Sequence, residues 1–259
     1  MSSTQMEDRR LMPIIHQIFL RHKRRYGARR IAEELDARRE LCGVPRVGRL
    51  MKTLGIIAIR PKRFRPRTTD SRHNLGYSPN LLLDAPPPID CNQVWIGDIT
   101  YIELKGGIFD YLALLMDLFS RKIIGWAMQD NMEESLVIAA LRSAIKTRQP
   151  PRGLIHHSDR GGQYAGKGYR NIQLRAGALT SMSRAANCYD NAFMESCIGT
   201  VKNELEIVEY ETSFAARKEI SEYITYYNTE RIHSAIDYMT PVEFEAKHSQ
   251  RRRRPGQPK

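Results

Sequence analysis

The stretch Val94 to Ile102, VWIGDITYI, reads as a β-strand. Side chains alternate across a strand, so Val94, Ile96, Asp98, Thr100 and Ile102 share one face. Asp98 is the odd member, because an ionised carboxylate is costly to bury unless it is paired or bound to a metal. Two more apolar runs follow, YLALLMDLF (Tyr111 to Phe119) and KIIGWAM (Lys122 to Met128). A turn at Lys105-Gly106-Gly107 joins the first pair and Ser120-Arg121 the second, which predicts a three-strand antiparallel meander. Met132 to Arg148 is a helical stretch with Leu136, Ala139, Ala140 and Ile145 inward, ended by Pro150-Pro151. LIHHSD (Leu154 to Asp159) is a short strand opening into a Gly-Gly loop, Tyr164 to Arg175 is helical, and LTSM (Leu179 to Met182) is a last strand. That order predicts an α/β fold.

The next helix is predicted over Asn187 to Glu206, NCYDNAFMESCIGTVKNELE, with Asp190 as its N-cap. Met194, Ile198, Val201 and Leu205 fall at offsets 0, 4, 7 and 11, an apolar stripe of helical period. Glu195 and Lys202 lie about 20° apart at the border of that stripe. Asp159 stands where a strand ends and a glycine loop opens, the usual place of working residues in α/β folds. Asp98 and Asp159 are 61 residues apart and Asp159 and Glu195 are 36 apart, so any shared metal site is assembled by folding. Three acidic oxygen donors suit Mg²⁺ or Mn²⁺, not zinc. Two such ions about 3.5–4 Å apart can clamp the attacking and leaving oxygens of a phosphodiester.

The flanks differ from this centre. Residues 1–73 carry 19 basic and 7 acidic side chains, residues 247–259 six basic and none acidic, and residues 74–246 16 basic and 22 acidic. Basic ends around an acidic centre point to polyanion binding by the ends and to a cation requirement at the centre. Residues 7–54 read as three helices: Glu7 to Arg25, Ala28 to Arg39 and Pro45 to Leu54. In the third, Val47, Leu50, Met51 and Leu54 face inward, while Arg46, Arg49, Lys52 and Thr53 lie opposite. That is the layout of a helix-turn-helix whose last helix enters a DNA groove. Residues 60–90, dense in Arg, Lys and Pro, read as an extended linker. No apolar run approaches 18 residues and the N-terminus lacks a secretory core, so a membrane or secreted protein is not expected. Cys42, Cys91, Cys188 and Cys197 are far apart and read as reduced thiols of a cytoplasmic, nucleoid-associated protein.

Four motifs resemble the integrase-type transposases of bacterial insertion sequences, specifically the second-frame protein of elements with two overlapping reading frames. They are WIGDITYI around Asp98, HHSDRGGQY around Asp159, YDNAFMESCIGTVKNEL around Glu195, and YNTERIHSAIDYMTPVEFE near the C-terminus. The 35 residues between Asp159 and Glu195, and Lys202 seven beyond Glu195, agree with that family's DDE pattern. YGARRIAEEL through VGRLMKTLGI is similar to the helix-turn-helix that precedes the catalytic core. Two departures stand out: Ala185-Ala186 where relatives commonly carry Pro-Gly, and Cys188 and Cys197 where other residues are usual.

The resemblance implies a ribonuclease H-like core, a five-stranded mixed sheet with flanking helices, behind a small all-α helix-turn-helix domain. The expected divisions are 7–58 for that domain, 59–91 for the linker, 92–212 for the core, 213–246 for a C-terminal helical extension and 247–259 for a basic tail. It makes Asp98, Asp159 and Glu195 the catalytic, metal-binding triad, with two Mg²⁺ ions for which Mn²⁺ can substitute. Lys202, Arg160, Gln163, Tyr164, Asn187, Asn191, Arg231 and His233 are expected at DNA, with a structural role as the other reading of His233. Arg46, Arg49 and Lys52 of the third helix are expected at phosphates. One of His156 and His157 is expected to orient a carboxylate, and the other to pack. The implied activity is Mg²⁺-dependent strand cleavage at transposon ends followed by 3′-OH strand transfer. The implied partners are double-stranded DNA (terminal inverted repeats and target), further copies of the chain on that DNA, and the upstream-frame protein, fused or separate. Rival readings are a ribonuclease H-like nuclease without strand transfer and a catalytically silent DNA-binding regulator.

Overall fold

The computed structural model describes residues 2–60, 75–184, 192–206 and 209–253, with only the backbone of residues 251–253. Asn187 and Asn191, the cap at Asp190, and the departures at Ala185-Ala186 and Cys188 lie outside the described residues. The chain divides into two units, Met1–Arg63 and Phe64–Lys259.

Three helices make the first unit: α1 (Ser3–Arg21), α2 (Ala28–Ala37) and α3 (Val44–Thr53). The helix expected from Glu7 starts earlier because Ser2 and Gln5 cap one another's backbone N–H groups. It stops at Arg21, and Lys23 and Arg24 turn left-handed. Leu11, Ile15, Ile18, Tyr26, Ile31, Leu35, Val47 and Leu50 form its buried core. The buried His22 ring stacks on Tyr26 at 3.7 Å and meets Glu34 at 2.9 Å.

The second unit is built on one mixed sheet of order β3-β2-β1-β4-β5. Its strands are β1 (Val94–Leu104), β2 (Ile108–Asp117), β3 (Ile123–Gln129), β4 (Ile155–Ser158) and β5 (Leu179–Met182). The first three form the antiparallel meander, and β4 and β5 join parallel beside β1. α4 (Glu134–Arg148), the short α5 (Gly162–Ala165) and α6 (Lys167–Arg175) cover one face. α7 (Ala192–Glu204) and α8 (Ser213–Thr229) cover the other. Strand alternation divides β1 accordingly: Trp95 and Ile99 pack with α4 to α6, and Val94, Ile96, Ile102 and Leu104 with α7 and α8.

Several expectations change in detail. On α4, Val137, Leu141 and Ala144 are buried with Leu136 and Ala140, whereas Ala139 is exposed. The single helix expected over Tyr164 to Arg175 is broken at Gly166, where the Glu134 carboxylate fills the space a Cβ would need and accepts the Tyr169 N–H at 2.7 Å. α8 buries Ala216, Ile220, Tyr223, Ile224 and Tyr227 in the sheet's own core, so it is a layer of the core and not an appended extension. The Asn228 side-chain amide bonds the Ile123 N–H and C=O, both at 2.9 Å. Residues 75–91 are not a bare tether. Pro79 C=O accepts the Met182 N–H at 3.3 Å, and Ser181 Oγ accepts the Leu81 N–H at 2.9 Å, which covers the outer edge of β5.

α9 (Pro241–Arg253) runs into the stretch expected as a tail. Glu245 anchors it, accepting Arg148 at 2.8 and 2.9 Å, Lys122 at 2.9 Å and Ser120 Oγ at 2.8 Å. The buried Asp117 stands 3.6 Å from Arg148 and accepts the Asn92, Phe119 and Ser120 N–H groups. Among the described residues no helix is long and apolar enough to cross a membrane.

Candidate active site

The parallel pairing of β1 with β4 matches Val94 with Ile155 and Ile96 with His157. Two residues further along each strand stand Asp98 and Asp159, so the register places these two acids side by side. Asp98 lies opposite Leu114 on the antiparallel side, on the face that carries Ile96 and Ile102. That is the face covered by α7, whose Met194, Cys197, Ile198 and Val201 are buried, with Leu205 just beyond its end. Glu195 follows Met194 in the first turn and stays exposed beside the buried stripe.

Each aspartate is oriented locally. Asp98 Oδ1 accepts the Ile99 N–H at 2.8 Å, and Asp159 Oδ1 accepts the Gly161 N–H at 2.9 Å in an Asx-type turn. Burial raises the Asp98 carboxyl well above the usual range, the Asp159 and then the Glu195 charge add to this, and the Ile99 N–H opposes it. Among the described residues the carboxylates do not close into a ready ligand cluster. Asp98 stands within electrostatic reach of both Asp159 and Glu195, and the three offer oxygen donors of the kind a hard divalent cation takes.

Beneath them lies an aromatic layer. Tyr164 was expected at DNA but is 1% exposed, its ring against His156 and Tyr169. It starts the buried side of α5, which turns it into the core. Its hydroxyl lies 3.6 Å from where a Cβ on Gly97 would stand. His156 Nε2 pairs with the Tyr169 hydroxyl at 2.9 Å, and burial lowers its pKa to about 3. His157 pairs through Nδ1 with Ser181 at 2.8 Å and through Nε2 with Ser183 at 3.2 Å. These bonds go to hydroxyls, where a carboxylate was expected for one of the rings. Arg160 Nε donates to the Ser183 carbonyl at 2.8 Å with its guanidinium 4.7 Å over Tyr77, and Gln163 donates to the Met132 carbonyl at 2.8 Å. Both fasten the loop after Asp159.

Two turns past Glu195, Lys202 Nζ lies 3.8 Å over the centre of the Tyr101 ring. Burial lowers its pKa to about 8. Arg231 and His233 are elsewhere than expected. Arg231 is 4% exposed and grips Glu204 through contacts of 2.7 to 3.0 Å, with His233 against its other nitrogen at 3.1 Å and the Tyr223 hydroxyl donating to the same carboxylate at 2.9 Å. A buried acid claims both side chains for the core, which removes Arg231 from DNA contact and gives His233 its structural reading. The missed signal is Glu204, three residues after Val201 and so on the apolar side of α7.

In the first unit, Asp8 accepts Arg46 at 2.9 Å and Arg49 at 2.8 Å, which partly offsets the positive face of α3. Lys52 is exposed on the same helix.

Comparison with known proteins agrees with both units. The family described as Integrase core domain matches residues 90–188 and, through a second such family, residues 176–241, and the HTH-like domain matches residues 6–64. The transposase for insertion sequence element IS904 of Lactococcus lactis is 41% identical, over 94% of this chain and 96% of that protein. The 31 kDa protein of insertion element IS600 from Shigella sonnei is also 41% identical, over 96% and 92%. Transposase InsF of IS3A from Escherichia coli is 37% identical, over 90% and 81%. Among solved structures, a simian T-cell lymphotropic virus intasome in complex with a PP2A regulatory subunit shares the fold, with a TM-score of 0.53 at 16% identity, covering 83% of this chain and 73% of that one. With an integrase core, a helix-turn-helix-like domain and such identity along nearly its whole length, the chain belongs to the bacterial insertion-sequence transposases of the DDE integrase superfamily, enzymes of the polynucleotidyl transferase kind.

Proposed function

We propose that this transposase hydrolyses one DNA strand at the end of its insertion sequence, water adding to the phosphorus and the 3′-oxygen leaving as a 3′-OH, and that this 3′-OH then attacks a second phosphodiester and displaces its 3′-oxygen, with Asp98, Asp159 and Glu195 holding Mg²⁺. The supporting observation is the β1–β4 register that brings Asp98 beside Asp159, with Asp98 raised by burial and then by the Asp159 and Glu195 charges. Such a repulsive arrangement is stabilised when a cation joins it. Bound there, Mg²⁺ supplies charge stabilisation to the phosphoryl oxygens and activates the attacking hydroxyl group.

The chain's own groups set the geometry. The Ile99 N–H fixes one oxygen of Asp98 and the Gly161 N–H one oxygen of Asp159, which sets the orientation of each carboxylate. The packed stripe of α7 holds Glu195 on the same side. Lys202, two turns along, meets a phosphate of the bound end, and Arg160 and Gln163 shape the loop beside Asp159. In the first unit Arg49 and Lys52, with Arg46 behind them on Asp8, meet duplex phosphates. Joining two ends requires more than one copy of the chain on DNA.

The test is a plasmid carrying the flanking inverted repeats, Mg²⁺ and a labelled end, with joined products as the readout. Wild type should yield joined products, and Asp159→Asn and Glu195→Gln should yield none while still binding DNA. Cleavage without joining would leave only the nuclease reading.

A further inference from the structure

Arg121 lies in the connection between β2 and β3 with φ at +62°, a left-handed conformation that favours glycine or asparagine. Nothing in its backbone setting calls for arginine. Its guanidinium carbon lies 4.4 Å over the centre of the Phe193 ring, on the first turn of α7. Among the described residues its Nε is buried without a hydrogen-bond partner and its side chain makes no ion pair. A buried, unanswered cationic donor is a standing cost unless an anion completes it.

The surroundings indicate where that anion comes from. Arg121 and Phe193 line a groove of about 520 Å³ with Leu82, Pro87, Ile96 and Phe119, and among the described residues that line it Arg121 alone is charged. Ile96 stands two residues before Asp98 on the same face of β1, and Phe193 two residues before Glu195 on α7. The groove is therefore lined by residues two positions before Asp98 on β1 and before Glu195 on α7, which sets it beside the carboxylates. A strand of DNA brought to those carboxylates carries one phosphate per nucleotide, an acceptor for the unmet Arg121 Nε donor.

We propose that Arg121, lying on Phe193, is a phosphodiester-binding residue for the DNA strand entering the carboxylate face, a reading that rests on the function proposed above. The guanidinium offers forked donors to the phosphate oxygens. The groove's apolar wall accepts the neighbouring sugar.

The experiment measures affinity of the full chain for a fluorescent duplex of the insertion-sequence end across a salt series, together with thermal unfolding. Arg121→Asn should weaken binding roughly ten-fold at low salt and lower the salt slope by about one. The same change should raise the melting temperature, because asparagine suits the left-handed backbone. Arg121→Lys, which keeps the charge, should retain the slope. An unchanged affinity and slope in Arg121→Asn would overturn the proposal, and so would a loss of binding accompanied by a lower melting temperature, which marks a packing role. A change of oligomeric state with unaltered DNA affinity would assign the groove to a second copy and also overturn it. If wild type binds the duplex with this Arg121 dependence yet never cleaves it, the catalytic reading fails and the phosphate subsite stands.

Discussion

Arg231 and Lys202 are both cations near aromatic rings, and their surroundings separate them. Arg231 is enclosed with Glu204, so removing it strands a buried carboxylate. Arg231→Ala should cost about 3–5 kcal/mol of stability in urea unfolding. It should leave the salt slope of DNA binding unchanged in whatever fraction stays folded. Lys202 is half-buried over Tyr101, and its pKa of about 8 lies below the ordinary 10.5. The sign is that of a depressed cation. It is charged below about 8, and from there up to 10.5 the unfolded chain holds more protons, so stability from this group rises with pH. DNA affinity should move the other way, falling as pH rises through about 8, and Lys202→Arg should flatten that fall in a pH series of binding isotherms. At this scale the sequence was legible where a residue broke its element's pattern: Asp98 among apolar strand residues, Asp159 at a strand's end. Arg231, His233 and Tyr164 sat in motifs suggestive of DNA contact, and only the tertiary partners Glu204, His156 and Tyr169 show them to be interior.

Among the elements, the register of β1 with β4 does most to bring distant acids together, since it converts a separation of 61 residues into adjacency. α7 adds the third acid by burying the side next to it. These elements were readable from period alone, two for the strands and 3.6 for the helix, because each has one face in the core. The break at Gly166 was not, because it arises from Glu134, a residue of another helix. Nor was the anchoring of α9, whose Glu245 meets Arg148, Lys122 and Ser120 from 97 to 125 residues away. Glu245→Ala should therefore release α9, seen as faster amide exchange along its backbone than in wild type, with protection of β1 retained. Unchanged exchange would show that apolar contacts of α9 suffice.

For the molecule as a whole, the change from helical to strand periodicity near residue 93 marks the two-part chain, and the structure divides it into Met1–Arg63 and Phe64–Lys259. Residues 75–91, written in prolines and read as linker, belong to the second unit through backbone bonds to β5 that no composition reveals. Basic ends and an acidic centre fit the division of labour proposed here: phosphate attraction from the flanks, cation-dependent chemistry in the middle. That division rests on the three carboxylates acting as one cation site. The most direct test is nicking of a labelled insertion-sequence end at saturating DNA, titrated with Mg²⁺, for wild type and for Asp98→Asn, Asp159→Asn and Glu195→Gln. Nicking that requires Mg²⁺ in wild type and is lost in all three variants, with DNA affinity retained, is the predicted result. Wild-type nicking rates in any one of the variants, or nicking that persists in excess chelator, would contradict it.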